Sequence, residues 1–173
     1  MNACGVANCG KKEPMGTEIE RKFLVSGALS FDGPGRVMQQ GYIALDPTDG
    51  TEVRLRREAG LNTLAIKRGP GIERHETEID IDDATADGLW ALTEGRRVEK
   101  SRYLRIEDGV RVEIDVYGGV LSGLVVAEVE FESIEDARAF VPFDWLGEEI
   151  SGNARYRNNV LARLGRVPDE GEV

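Results

Sequence analysis

The sequence predicts a mainly β domain of the α+β class, and three observations predict it. Segments with period-two alternation recur eight times along the 173 residues, each bounded by turn signals. Of the 21 glycines, nine are paired or sit beside proline or aspartate, as in DPTDG at 46–50 and RGPG at 68–71, which is a pattern of tight turns. Only three stretches read as helices, all short, and eight strands are enough to close a barrel.

In order, strands are expected at 17–25, 37–45, 51–58, 61–68, 72–81, 96–106, 110–117 and 123–132. Side chains at i and i+2 of a strand share a face. TEIERKFLV therefore lines up Glu18, Glu20 and Lys22, and TEVRLRR lines up Arg54 and Arg56 with Val53 and Leu55 behind them. TLAIK ends at Lys67, and HETEIDI aligns Glu76, Glu78 and Asp80. DDATADGLWALTEG at 82–95 breaks the series with a capping Asp82 and apolar Leu89, Trp90 and Leu92, so a helix crosses there. RRVEKSRYLR then aligns Lys100 with Arg102, VRVEIDVY aligns Arg111, Glu113 and Asp115, and VAEVEFE aligns Glu128, Glu130 and Glu132. SIEDARAFV at 133–141 opens a second helix at Ser133, with acids in its first turn. NARYRNNVLARLG, ending at Gly165, reads as a third with an apolar stripe of Tyr156, Val160, Leu161 and Leu164.

Nearly every strand thus has one charged face, and two arrangements are open. The charged faces can be the wet outside of a sheet whose apolar faces make the core. Alternatively the sheet closes with its charges inward, which requires both signs, because an interior of one sign is too costly to desolvate. The segregation of the charges bears on chemistry. Paired carboxylates, Glu18 with Glu20 and Glu128 with Glu130, tolerate one another when a hard cation such as Mg²⁺ or Mn²⁺ lies between them. Arg54, Arg56, Lys67, Lys100 and Arg102 supply donors suited to phosphate oxygens. A polyphosphate held by cations and bridged by metal to carboxylates fits both sets.

With these residues in hand, Glu18-Ile19-Glu20-Arg21-Lys22 resembles the ExExK signature of the CYTH superfamily, the triphosphate tunnel metalloenzymes. RLRR, the strand ending at Lys67, EGRRVEKSRY, EIDVY and VAEVEFE are similar, in order, to segments of the short bacterial members. The resemblance implies a closed eight-stranded antiparallel barrel around a polar tunnel, with short helices packed outside. It implies metal-dependent hydrolysis of inorganic triphosphate to pyrophosphate and phosphate. It assigns Glu18, Glu20, Glu128 and Glu130 to the metal and to water positioning, and Lys22, Arg54, Arg56, Lys67, Lys100 and Arg102 to the substrate. Glu76, Glu78, Arg111, Glu113 and Asp115 are expected as further tunnel lining. Arg157, in RYRN, stands where the family is expected to carry lysine, and is counted with the substrate ligands. The catalytic candidates are Glu20, Lys100 and Tyr42, the last following Gln40 and Gly41 in a QGY segment proposed to carry a proton acceptor. A phenol of ordinary pKa about 10 needs nearby cations to lower it for that role.

The same superfamily includes enzymes that hydrolyse thiamine triphosphate or cyclise ATP, and a barrel of this type can also bind a polyanion without turnover. Trp90 and Trp145 fall in or beside predicted helices, which favours packing over base recognition. His75, the sole histidine, is expected as a surface residue. A net charge of −10 argues against nucleic acid as a partner. No apolar run approaches the roughly twenty residues of a membrane span. Residues 1–16, with unpaired Cys4 and Cys9, are expected as a flexible leader, 17–165 as one domain and 166–173 as a disordered acidic tail. A cytoplasmic monomer or homodimer is the expectation that follows.

Overall fold

The structure, a computed structural model, describes residues 15–169 apart from 26, 28, 32 and 70. Of the expected leader 1–16, residues 1–14 with both cysteines lie outside the described residues, while Met15 and Gly16 belong to the first strand; of the expected tail 166–173, residues 170–173 lie outside them. Eight strands form one closed barrel: β1 (Met15–Leu24), β2 (Arg36–Leu45), β3 (Glu52–Glu58), β4 (Leu61–Arg68), β5 (Glu73–Ile81), β6 (Arg97–Glu107), β7 (Val110–Tyr117) and β8 (Val125–Phe131). Their order around the wall is β1-β5-β4-β3-β2-β6-β7-β8, every pairing is antiparallel, and β8 returns to β1. Closure removes the sheet edges that an open eight-stranded ribbon would expose.

One stretch of wall is completed by a loop. β1 pairs with β5 only up to Ile19 and with β8 from Ile19 onward. Beyond that point the chain near 147–151 takes the vacated edge. The Leu24 amide donates to the Glu148 carbonyl, and the Gly147 and Ile150 amides donate to the carbonyls of Leu24 and Lys22, each at 2.8 Å.

The helices sit where the caps place them, with altered extents. Asp82 accepts from the Thr85 amide at 2.7 Å to open α1 (Asp83–Trp90), which passes into a 3₁₀ turn at Ala91–Thr93. Gly41 is required by that turn: a Cβ there would lie 2.5 Å from Thr93 Oγ1. Ser133 Oγ accepts from the Asp136 amide at 3.0 Å and opens α2 (Ile134–Ala139). The expected third helix is not continuous. It begins as a 3₁₀ turn at Ala154–Tyr156, is interrupted at Arg157 with extended backbone (φ −67°, ψ 134°), and resumes as α3 (Asn158–Leu164). The break turns Asn159, Leu161 and Ala162 inward and leaves Leu164 43% exposed, so the apolar stripe read across 156–164 holds only in part. Gly165, at φ 63°, ends α3 in the left-handed conformation that favours glycine.

The charged faces point inward, as the second arrangement required. The apolar residues divide into two clusters. Outside the wall, Phe23, Val112, Ile114, Ala127, Val129 and Leu146 pack β1, β7 and β8 against the chain that carries α2 and its continuation to 146. The other lies within the barrel at one end, where Tyr42, Val98, Tyr117 and Val126 meet Leu121, Leu124, Ile150 and, from α3, Leu161 and Ala162. An apolar side facing only outward is therefore not what this chain adopts. One end of the bore is closed by an apolar plug built on α3, and the charges occupy the remainder. Val167 also packs against that plug. No helix among the described residues is long and apolar enough to cross a membrane.

Candidate active site

The register of the strands builds the site. Glu20 stands directly opposite Glu130, and Lys22 opposite Glu128, so the ExExK face of β1 and the ExE face of β8 form one continuous surface. Proceeding around the wall, Arg102 is opposite Asp115, Lys100 opposite Tyr117, Tyr42 opposite Arg54, and Lys67 is flanked by Glu52 and Glu76. All of these share the inward face by alternation. They surround a cavity of about 720 Å³ at the open end, lined by Glu18, Glu20, Arg56, Glu78, Arg102, Arg111, Glu113, Glu128 and Glu130 among others. A smaller space of about 50 Å³ near α3 is lined by Glu20, Lys22, Tyr42, Arg54, Lys67 and Arg157 among others.

Opposite charges are interleaved throughout. Lys22 Nζ lies 3.0 Å from Glu20 and 2.5 Å from Glu128. Burial alone would lower this ammonium, yet Glu128 and Glu20 outweigh it and hold Lys22 well above the ordinary lysine value. Lys67 binds Glu18 and lies 3.4 Å from Glu76. Arg54 reaches Glu76 at 3.2 Å and Glu78 at 3.4 Å, and Arg56 approaches Glu78 at 4.0 Å. Arg102 is the most heavily engaged cation. It holds both oxygens of Asp115 at 2.7 Å, reaches Glu128 at 2.6 Å and also binds Glu113. Arg111 pairs with Glu113 at 2.8 Å near the mouth.

The carboxylates differ in what surrounds them. Burial raises the pKa of Glu20, and Glu128 and Glu18 add to that against the pull of Lys22 and Lys67. Burial opposes ionisation of Glu128 as well, but Lys22, Arg102 and Lys100 overcome it and hold that carboxyl well below its usual range. Of the two, Glu20 is thus the carboxylate that burial and its acidic neighbours push toward the neutral form. Among the described residues no three such groups converge as a preformed metal cage. The reason is visible in the pairing: the Lys22 ammonium lies between Glu20 and Glu128, and Lys67 holds Glu18. The donor set is all oxygen and crowded with negative charge, a chemistry that suits a hard divalent cation.

Lys100 and Tyr42 depart from their ordinary chemistry in opposite senses. Lys100 is 2% exposed, bound to Asp115, with the Tyr117 ring centre 5.7 Å from Nζ. Burial, with Arg102 adding to it, brings the ammonium down to about 8 despite Asp115. Burial raises Tyr42 far above the ordinary phenol, Glu52 adds to this, and the opposing pull of Arg54, Lys22 and Arg56 does not offset the two. The lowering by cations expected for Tyr42 does not occur, because the ring belongs to the apolar plug. A phenol so placed keeps its proton.

Arg157 lines the inner space, and its side chain makes no hydrogen bond or ion pair among the described residues. It stands at the interruption before α3, which is why it faces the bore and not solvent along a helix. His75 is exposed, as expected. Trp90 is held between Arg57 and Arg97, whose guanidinium carbons lie 4.7 and 4.4 Å from its ring centre, and Trp145 donates to Glu107 at 2.9 Å.

Several inward residues were not singled out from the sequence. Glu52 and Arg74 extend the charged faces of β3 and β5 by two residues, so the alternation itself could have found them. Arg74 approaches Glu52 at 3.4 Å, and Glu52 also accepts from Asn159 of α3. Tyr117 donates to Asn158. Asn158 and Asn159 tie α3 into the bore from more than forty residues away in sequence, and no local pattern marks them. Gln40, 1% exposed, lies on the inward face two residues before Tyr42.

No protein-family model matches the chain. Curated relatives do. An inorganic triphosphatase of Nitrosomonas europaea is 45% identical over 147 residues, spanning 84% of this chain and 97% of the relative. An inorganic triphosphatase of Acetivibrio thermocellus is 36% identical over 152 residues, spanning 86% and 95%. Among solved structures, a crystal structure of an inorganic triphosphatase superposes with a TM-score of 0.64 at 42% identity, covering 88% of this chain and 97% of that one.

Proposed function

Because the chain belongs to the family of these inorganic triphosphatases, we propose that it hydrolyses inorganic triphosphate to pyrophosphate and phosphate inside the barrel with the help of Mg²⁺ or Mn²⁺. The observation that carries this reading is the inward face itself. Five cations named from sequence, Arg54, Arg56, Lys67, Lys100 and Arg102, share one bore with the carboxylates of β1 and β8. A polyanion entering from the open end exchanges carboxylate partners for phosphate oxygens on the same guanidinium and ammonium groups. Those groups are already desolvated and aimed, so little reorganisation accompanies the reaction.

Arg54, Arg56 and Arg102 grip phosphoryl oxygens through paired N–H donors, and Lys22 and Lys67 act as point charges. Glu18, Glu20, Glu128 and Glu130 would hold the divalent cation, which when bound neutralises phosphoryl charge and favours ionisation of water. Tyr42 donates a hydrogen bond to the substrate, and Lys100 is the inward amine whose uncharged form is accessible near neutrality. Neither tryptophan lines the cavity, which favours the inorganic substrate over one bearing a base or thiazole.

Phosphate release from triphosphate, ATP and thiamine triphosphate, each with Mg²⁺, Mn²⁺ or excess chelator, tests the reading. Release from triphosphate that stops with chelator is expected. Turnover undiminished by chelator would overturn the metal assignment, and no turnover of triphosphate with either metal would overturn the function.

A further inference from the structure

Three buried polar atoms without a hydrogen-bond partner stand side by side in the wall of the bore. They are Gln40 Oε1 on β2, Arg56 Nε on β3 and Thr63 Oγ1 on β4. The register makes them neighbours: Gln40 is directly opposite Arg56, and Arg56 directly opposite Thr63. All three residues share the inward face with Arg54 and Tyr42 by alternation. A buried polar atom left unpaired costs about 1–3 kcal/mol, and directly opposed residues on three adjacent strands each leave one here, a demand for partners that the protein itself does not supply.

The chemistry of the three atoms differs. Arg56 Nε is a donor and Thr63 Oγ1 can donate, and both suit phosphoryl oxygens. Gln40 Oε1 is a neutral acceptor, which a phosphate oxygen avoids and a water proton seeks. Strands lie about 4.8 Å apart, so the directly opposed Gln40 and Arg56 project side by side and can serve one water and the phosphoryl group it attacks. On the other side of Gln40, β6 presents Val98 directly opposite and Lys100 one inward position further on. An amide acceptor that orients water beside a clamped phosphoryl group is a recurring device of phosphoryl transfer.

We propose that Gln40 is a catalytic residue that orients the attacking water, while Arg56 and Thr63 hold the phosphoryl group it attacks. The inference rests on the triphosphatase reading above and names the residue that serves its hydrolytic step. The water oxygen bonds to phosphorus as the bridging P–O bond breaks. The leaving pyrophosphate takes that bond's electron pair and the proton the water gives up, and the second water proton stays on the phosphate product. Gln40 accepts a hydrogen bond throughout and is itself unchanged.

The test is steady-state kinetics on purified full-length protein, with triphosphate binding followed separately by the rise in melting temperature. In Gln40→Met, which keeps length and removes the acceptor, kcat is expected to fall about a hundredfold with KM within threefold, a loss within the range for misplacing a reactant. The melting temperature and its rise with triphosphate should match wild type. Gln40→Glu, which restores an acceptor, should recover at least a tenfold part of the loss. Thr63→Val should raise KM several-fold and alter kcat little. If Gln40→Met retains kcat within threefold, or loses the triphosphate-induced rise in melting temperature, water orientation is wrong while the function stands. A wild-type protein silent toward triphosphate overturns the function and this inference with it.

Discussion

At the end of the bore closed by α3, Lys100 and Asp115 are 2% and 0% exposed and have given up water altogether, whereas at the open mouth Arg111 pairs with Glu113 while remaining 61% exposed. Both are lysine or arginine beside a carboxylate on the same inward face, yet their consequences differ. Removing a charge pair from water costs several kcal/mol per ion, and only close geometry with further hydrogen bonds offsets it. At the closed end that condition is met by sharing, because Arg102 holds both oxygens of Asp115 while Lys100 binds one of them. At the mouth water does the same work, and the pair is optional. The bore is thus graded from a dry end, where pKa values move, to a wet end, where solvent screens the charges.

The largest effect follows from breaking the dry end. On the catalytic role proposed for Lys100, Lys100→Met should reduce triphosphate hydrolysis by at least a hundredfold, the scale of losing a positioned acid–base group. Stability should move the other way. The folded Lys100 pKa of about 8 lies below the unfolded value near 10.4. The unfolded chain therefore binds more protons between those limits, so charged Lys100 destabilises the fold below about pH 8 and the penalty is relieved as pH rises through that window. Melting curves from pH 7 to 10 should show the variant at least as stable as wild type at pH 7, its advantage shrinking toward pH 10. A variant that melts well below wild type at pH 7 would show that the Asp115 contact outweighs burial.

The intermediate case is Glu128, where dry and wet halves meet through Lys22 and Arg102. Glu128→Gln removes a carboxylate serving two cations and is expected to destabilise by about 1.5–3 kcal/mol, the scale of hydrogen bonds to charged groups. Because the folded Glu128 carboxyl sits below its usual range, its contribution is present above the unfolded value of about 4.3 and is lost as pH falls through the folded one. Urea unfolding at pH 7 and pH 4 measures this, and the difference between wild type and variant should narrow at pH 4. An equal difference at both would assign the effect to packing.

The same gradient explains what could be read from the sequence. Strand positions followed from alternation, and the strands 61–68 and 110–117 match Leu61–Arg68 and Val110–Tyr117 residue for residue. The inward cations and carboxylates followed too, since a period of two survives closure into a barrel. The plug did not. Its apolar residues, Val98, Tyr117 and Val126, occupy the same inward faces as Lys100, Asp115 and Glu128, and alternation identifies a face without giving depth along the bore. Nor did the break at Arg157, where Asn158 and Asn159 bind Tyr117 and Glu52. The sequence between Asn153 and Gly165 favours one helix, and tertiary hydrogen bonds to distant strands interrupt it. Arg21 is the converse lesson. It stands inside the ExExK signature yet points outward, donating to Glu149 at 2.9 and 2.7 Å and to the carbonyls of Ala137 and Phe140 at 2.9 Å each. Its position in the motif serves the wall that holds Glu20 and Lys22 in place.

The smallest effect is expected at the wet end, and it is the sharpest check on the gradient. Arg111→Ala removes one partner of Glu113, but Arg102 still binds that carboxylate and solvent reaches it. Exposed ion pairs contribute between 0 and about 1 kcal/mol, so the melting temperature should hardly move. What changes is the field at the entrance, which acts on association and is screened within about 10 Å at 0.1 M salt. The variant should therefore show kcat unchanged and kcat/KM lowered at most about threefold at low ionic strength, with the difference vanishing as salt is raised. A salt-independent fall in kcat would mean that Arg111 meets the substrate within the bore, and the division between solvated mouth and reacting interior would have to be redrawn further outward.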